Sequence, residues 1–403
     1  MQFGQITGHG ETKKHLTDLV QQNRLSHALL FLGKEGSPAL PMALAFAQYI
    51  VCVSSKNEPR VQSGLFGPEP AGEVPAGTDK PGDSCGTCPA CVKAGQYIHP
   101  DIHYSFPVIT RKAGSAPVSD DYMKEWRDFL NQHPYGNVYD WLQFIGAENK
   151  QGNITVEECN SIIHKLSLKA FESRFKILIM WMPEFLGVSG NKLLKLIEEP
   201  PEDTLFILVA QDENAILPTI LSRTQLIRIP LFSDEEVREA LISQEGTPEE
   251  AAARIAGISE GNYREALLLY QHAAQDWEAI LRDWLNVVLR RQSEGLNKWI
   301  EGVSLLGREK QKQFLRYFIH LLGQALRVRF IPEGSGPVLP ENEKDFTLRI
   351  NKLCGIEAQN ALIEELNRSI FYIERNAHTK MLFHALSIRL FHIIKDNSLI
   401  LVN

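Results

Sequence analysis

Between residues 28 and 229 the chain alternates two hydrophobic rhythms. Ala28-Leu-Leu-Phe-Leu32, Lys176-Ile-Leu-Ile-Met-Trp181, Thr204-Leu-Phe-Ile-Leu-Val-Ala210 and Thr224-Gln-Leu-Ile-Arg-Ile229 are short, nearly continuous apolar runs. Such runs read as strands buried on both faces. Helical periodicity separates them at Pro41–Val51, Val156–Leu168 and Asn191–Glu199. Strand and helix in alternation predict an α/β core, a mostly parallel sheet with helices on both faces, over residues 1–230.

The rhythm changes after Pro230. Ser233-Asp-Glu-Glu236 has the spacing of a capping box, and Thr247-Pro-Glu-Glu250 repeats it. In such a box the hydroxyl accepts an orphan amide and the glutamate returns the bond. A third helix is predicted from near Gly261 through Arg264–Tyr270, which makes a small three-helix domain over 231–275. From 276 to 403 every periodic segment reads as helix, Lys310–Val328 and Ala358–Arg375 among them, with Ile331–Asp345 as a loop. Residues 54–83 and 110–137, rich in Pro, Gly, Ser and charge, read as exposed loops. No internal repeat is visible.

Composition narrows the function classes. A chain of 403 residues is too long for one simple core. Its 44% hydrophobic and 23% charged content is that of an ordinary globular protein. No apolar run approaches the ~18 residues of a membrane span. Met1-Gln-Phe-Gly-Gln-Ile6 lacks the basic start and apolar core of a secretion signal. A cytoplasmic location is expected, with no membrane partner, and thiols there are metal ligands more often than disulfides. The net charge of -7 is uneven: residues 280–403 carry 18 Lys+Arg against 13 Asp+Glu, and the rest of the chain has a net of -12. An acidic body is a poor general binder of DNA, and the mildly basic tail reads as a solvated helical surface.

Two constellations carry chemistry. Phe31-Leu-Gly-Lys-Glu-Gly-Ser-Pro-Ala-Leu40 has the frame of a phosphate-binding loop. A working loop reads Gly-x-x-x-x-Gly-Lys-Ser/Thr: amides wrap the phosphates, the lysine neutralises them and the hydroxyl holds magnesium. Here Gly33 and Gly36 keep the turn, but Pro38, Ala39 and Leu40 occupy the positions of the second motif glycine, the lysine and the hydroxyl. Proline has no amide to donate, alanine no charge and leucine no metal ligand. The strand ending at Trp181 should be followed by an acidic pair for magnesium and water; the chain has Trp181-Met182, with Glu184 two residues on as a substitute only if the strand slides.

Cys85-Gly-Thr-Cys88-Pro-Ala-Cys91 places three thiols at two-residue spacings, and Cys52 upstream can supply a fourth. A closed tetrahedral four-sulfur set suits structural zinc; an iron–sulfur cluster or unligated thiols are the rival readings. Cys159 and Cys354 stand alone in helical patterns and read as core thiols. Arg223, at the end of Leu217-Pro-Thr-Ile-Leu-Ser-Arg223, is by itself a surface charge, but in a nucleotide-type fold it could act in trans on a neighbour's phosphate. Arg264 lies where a lid could aim it at a nucleotide site, or could pair with an acidic neighbour.

Arg24-Leu-Ser-His-Ala-Leu-Leu30, the four cysteines, Gly95-Gln-Tyr-Ile-His-Pro-Asp101, Lys192-Leu-Leu-Lys-Leu-Ile-Glu-Glu-Pro-Pro201 and Leu217–Arg223 together resemble bacterial DNA polymerase III clamp-loader subunits of the AAA+ superfamily. The resemblance covers residues 1–275 well. It implies an AAA+ core over 1–230 with a zinc module at about 52–91, a helical lid over 231–275 and an all-α collar over 276–403. The broken loop is similar to that of the non-hydrolysing delta prime branch. The resemblance then implies that this chain does not bind ATP or does not hydrolyse it, and is no enzyme by itself. It would be the stator of a hetero-oligomeric ring with gamma/tau ATPase subunits and a delta subunit. Arg223 would serve as the arginine finger in trans, and the ring would load a sliding clamp on primed DNA. Thr224 departs from the family's usual cysteine, the Cys52–Cys85 spacer is long, and the long segment 102–153 is expected to be a surface loop. The alternatives are an ATP-hydrolysing gamma/tau-type or other AAA+ ATPase, and a zinc-ribbon DNA-binding protein.

Overall fold

The computed structural model describes residues 1–53, 63–64, 67–68, 82–111, 114, 116–147, 150–271, 277–330, 341–375 and 377–396. They form two compact units, one of residues 1–246 with 261–264 and one of 247–260 with 265–403.

The first unit is built on five parallel strands, β1 (Ala28–Leu32), β4 (Ile102–Ser105), β5 (Lys176–Trp181), β6 (Thr204–Ala210) and β7 (Gln225–Arg228), in the order β4-β5-β6-β1-β7. β2 (Ser63–Gly64) and β3 (Gly67–Pro68) make a separate two-residue antiparallel pair. The four apolar runs read from the sequence are β1, β5, β6 and β7. β1, β5 and β6 are buried throughout, because side chains alternate between two covered faces; β7, at the sheet edge, does not meet the expectation of a strand buried on both faces, since only Ile227 is buried and Leu226 and Arg228 are exposed. Leu29 and Phe31 of β1 enter one core with helices α2 (Ala39–Val51), α3 (Pro89–Gly95), α4 (Met123–Gln132) and α5 (Val138–Phe144). Ala28, Leu30 and Leu32 enter the other with α6 (Val156–Ser167), α7 (Leu194–Glu198) and α8 (Pro218–Leu221). Helix α1 (Gly10–Gln21) precedes β1 and packs on α2.

The structure corrects several expectations. The predicted loop at 110–137 contains a 3-10 turn at Ser119–Tyr122 and then α4. Its charges are interleaved with Trp126, Phe129 and Leu130, all buried, so the composition of the segment hid a helical stripe. The segment 102–153 is likewise no surface loop. It supplies the edge strand β4, missed because four residues give no period, and the buried Phe106, Trp126, Phe129 and Trp141. Residues 341–345, assigned to a loop, begin a helix (α15 below). Most of the 54–83 loop lies outside the described residues.

Beyond Pro230, α9 (Asp234–Glu245) opens with the predicted box: Ser233 Oγ accepts from the Glu236 amide at 3.2 Å and Glu236 accepts from the Ser233 amide at 2.8 Å. The second box does not form. Helix α10 (Glu249–Ser259) starts after Pro248, so Thr247 sits one residue too early, and its buried hydroxyl has no partner among the described residues. Helix α11 (Tyr263–Gln271) follows.

The second unit is all-helical: α10, most of α11, α12 (Trp277–Leu289), α13 (Ser293–Ser304), α14 (Arg308–Phe330), α15 (Glu341–Leu353), α16 (Ile356–Glu374) and α17 (Thr379–Asp396). The long α14 packs on α15 and α16. Trp284 stacks on Trp299 at 4.9 Å and donates its indole N–H to Ser387 at 2.9 Å. No helix among the described residues is long and apolar enough to cross a membrane.

Candidate functional site

The loop after β1 sits at the carboxyl ends of the parallel strands, where open α/β sheets bind ligands. Gly33 donates to Ala210 of β6 at 3.0 Å, and Gly36 turns at φ +77°. Any side chain at Gly36 would strike Asn262, whose nearest atom lies under 3 Å from a built Cβ. Pro38 is the N-cap of α2, Ala39 and Leu40 are its first residues, and all thirteen residues of that helix are buried. Three neighbours cover the loop: Pro134, Tyr135 and Gly136 from the α4–α5 connection, Trp181 and Met182 from the end of β5, and Gln211 after β6. The space left is about 20 Å³. That is room for a water, against roughly 300 Å³ or more for a small-molecule site.

Trp181 and Met182, in the acidic-pair positions, are core residues. The Trp181 ring lies 5.1 Å from Trp126 and 6.1 Å from Phe129, and the Met182 amide donates to Val209 at 2.8 Å. Trp126 in turn stacks on Phe106 at 4.1 Å and meets Trp141 edge-on at 5.2 Å. Glu184 is not among the residues that line the loop. One oxygen accepts from the amides of Gln211 and Asp212, at 2.6 and 3.0 Å. Burial pushes its carboxyl up, with those amides pulling the other way.

The four cysteines converge, Cys52 included. Their sulfurs all lie within 4.8 Å of one another, with Cys52–Cys85 at 3.6 Å and Cys85–Cys91 at 3.9 Å. A metal with bonds of about 2.3 Å needs a tetrahedral edge of about 3.8 Å. The amides of Cys85, Cys88 and Cys91 each donate at 3.4 Å to the preceding sulfur of the set. Such bonds stabilise thiolate. Hydrogen bonds with Cys52 and Cys91 hold the Cys88 thiol far below its ordinary range, and those with Cys52 and Cys88 push Cys91 far above it. The donor set, spacing and amides fit a four-coordinate metal ion. Cys52 is brought to the knuckle by α2, whose last helical residue is Val51. Cys159 and Cys354 are buried elsewhere.

Arg223 follows α8 and is half-buried. Its guanidinium donates to the Thr219 carbonyl at 2.7 Å and pairs with Glu198, at the end of α7. Two of the motif stretches, Lys192–Pro201 and Leu217–Arg223, therefore meet in space. Arg223 is not among the residues that line the filled loop. Asp101, which closes the Gly95–Asp101 stretch, is a structural clamp: its carboxylate accepts from the amides of Phe171, Glu172 and Ser173 at 2.5, 2.9 and 2.7 Å.

The sequence profile of a family described as "DNA polymerase III, delta subunit" matches residues 8–64 and 71–233, more than half of the chain. The chain belongs to this family. Its members here are clamp-loader subunits of the AAA+ type. One relative is the DNA polymerase III subunit delta' of Bacillus subtilis, 24% identical over 257 residues, 64% of this chain and 57% of that protein. Another is the DNA polymerase III subunit gamma of Buchnera aphidicola from Acyrthosiphon pisum, 34% identical over 144 residues, 34% of this chain and 39% of that one. The chain thus spans about half the length of the curated relatives it matches. A solved DNA polymerase III gamma subunit-related protein from Thermotoga maritima is 14% identical, with a TM-score of 0.37, covering 95% of this chain and 100% of that one.

Three site residues of this clamp-loader family member escaped the sequence reading: Tyr135, Asp140 and Glu198. Asn137-Val-Tyr-Asp140 has the Asn/Asp spacing of a capping box, and that signal could have located α5 and its carboxylate.

Proposed function

We propose that this chain is the non-hydrolysing, delta prime-type subunit of a DNA polymerase III clamp loader. It would assemble with gamma/tau ATPase subunits and a delta subunit into a ring that places a sliding clamp on primed DNA. In that ring residues 1–230 are the AAA+ core, 231–275 the lid and 276–403 the collar. Cys52, Cys85, Cys88 and Cys91 hold a structural zinc ion. The observation that carries the reading is the phosphate loop: Pro38, Ala39 and Leu40 offer no triphosphate ligands, and the space beside them, lined in part by residues 134–136, is about 20 Å³. A subunit without a working site acts through what it presents to a neighbour, and Arg223 is the group presented. Its pairing with Glu198 does not tie it down, because a half-exposed ion pair is worth about 1 kcal/mol or less.

Arg223→Ala should leave folding and complex assembly intact. An arginine finger is worth about 10³-fold or more at the site it serves, so DNA-stimulated ATP hydrolysis by the reconstituted complex should fall by the share of that site. Unchanged hydrolysis by a fully assembled complex refutes the role. The similarity to a gamma subunit at 34% identity supports a second reading, an ATPase of the same loader. Stoichiometric ATP turnover by the isolated chain, lost on Glu184→Gln, would favour it.

A further inference from the structure

Arg264 is 4% exposed at its side chain and lies beside the phosphate-type loop, held by two carboxylates from distant parts of the sequence. Its Nε and Nη2 donate to the two oxygens of Asp140 at 2.5 Å each, and its Nη1 donates to Glu35 at 3.1 Å. Glu35 belongs to the loop, between Gly33 and Gly36. Asp140 belongs to α5, where the capping box orients it: its amide donates to Asn137 at 2.9 Å and its carboxylate accepts from the Asn137 amide at 3.0 Å. The residues around Arg264 close on the same loop. The Tyr263 amide donates to the Gly36 carbonyl at 3.1 Å, and the Tyr263 ring meets Tyr135 edge-on at 4.7 Å.

A guanidinium binds a carboxylate and a phosphate through the same two-pronged donor geometry. An arginine this buried requires an anion, since an unpaired buried charge costs several kcal/mol. In a loop that held nucleotide, phosphate oxygens would supply that anion. We infer that Asp140 is an internal substitute for phosphate at Arg264, and that with Glu35 it fastens residues 261–264 to the loop in the absence of nucleotide. Burial pushes the Asp140 carboxyl up, but the Arg264 hydrogen bonds and charge outweigh it and hold the group below the ordinary carboxylate range. The substitute therefore stays ionised at neutral pH. Tyr135 stands in the α4–α5 connection and Asp140 in the first turn of α5, so one short stretch of chain both covers the loop and neutralises Arg264. The inference rests on the reading that the loop takes no nucleotide.

The test is hydrogen exchange at the Tyr263 amide in the full chain, wild type against Asp140→Asn. The amide side chain keeps an oxygen for the Asn137 cap and removes the charge. Exchange should accelerate about tenfold or more, and millimolar inorganic phosphate should restore part of the protection in the variant and none in wild type, against a chloride control of equal ionic strength. Exchange within twofold of wild type overturns the latch. Acceleration that phosphate does not reverse overturns the substitute. Should Asp140→Asn fail to fold, Glu35→Gln, at the more exposed partner, should speed the same amide by a smaller factor, and no change there overturns the proposal. Titration of wild type with magnesium ATP separates the two readings: uptake would sink the empty-loop reading, whereas unaltered exchange in the variant with no uptake would sink this inference alone.

Discussion

The cysteine knuckle and the phosphate-type loop lie at the two ends of one helix, α2, and their side chains differ in what they offer a ligand. At one end four sulfurs stand at tetrahedral spacing with amides donated to them. At the other Pro38, Ala39 and Leu40 stand at the phosphate-ligand positions, Tyr135 and Trp181 line the small space beside them, and Asp140 pairs with Arg264. A site fit for a metal ion is recognisable by a local spacing. A site that loses its ligand must be refilled, because a buried void and an unpaired buried arginine are both costly. The refilling groups come from wherever the fold brings them.

The comparison can be broken at several strengths. The largest effect is expected at the knuckle. Cys88→Ser should drop zinc from one equivalent to near zero by elemental analysis. Because binding to such sites carries on the order of 10 kcal/mol, the variant should melt well below wild type. Full metal content in the variant would remove the zinc assignment. Next is the plug's foundation: Trp126→Ala deletes a fully buried ring stacked on Phe106 and set against Trp141 and Trp181. It should cost roughly 3–5 kcal/mol in chemical denaturation; a loss under about 1 kcal/mol would mean that the insertion is not part of the core. The smallest effect should come from rebuilding the loop. The triple variant Pro38→Gly, Ala39→Lys, Leu40→Thr restores the motif, yet calorimetry should still detect no magnesium ATP binding while residues 134–136 occupy the space. Micromolar binding would show that the loop was disabled by its own three residues and that the plug is incidental.

Much of this molecule could be read locally. Three of the four apolar runs became the fully buried strands β1, β5 and β6, because parallel strands covered on both faces admit little but apolar residues; the fourth became the edge strand β7, where only Ile227 is buried. The Ser233 box formed because cap chemistry is confined to one turn. The cysteine spacings and the vacant ligand positions were equally local. The reading failed one helix further on: Thr247 has the spacing of a cap, yet α10 starts at Glu249 with Pro248 as its N-cap. The segment between β4 and α6 was misread for a different reason. Its polar composition dominated any window average, while its buried face, Phe106, Trp126, Phe129 and Trp141, is assembled from separate elements that no periodicity connects.

The amino-acid sequence alone determined that the phosphate loop lacks its ligands and that three thiols share a knuckle, because each is a matter of which atoms stand within a few bonds of one another. Tertiary structure alone decided that Cys52 closes the tetrahedron, that Glu198 faces Arg223, and that Asp140 answers Arg264 from 124 residues away. Those pairings depend on burial, where the free energy of a charge or a thiolate is set by whatever the fold places around it.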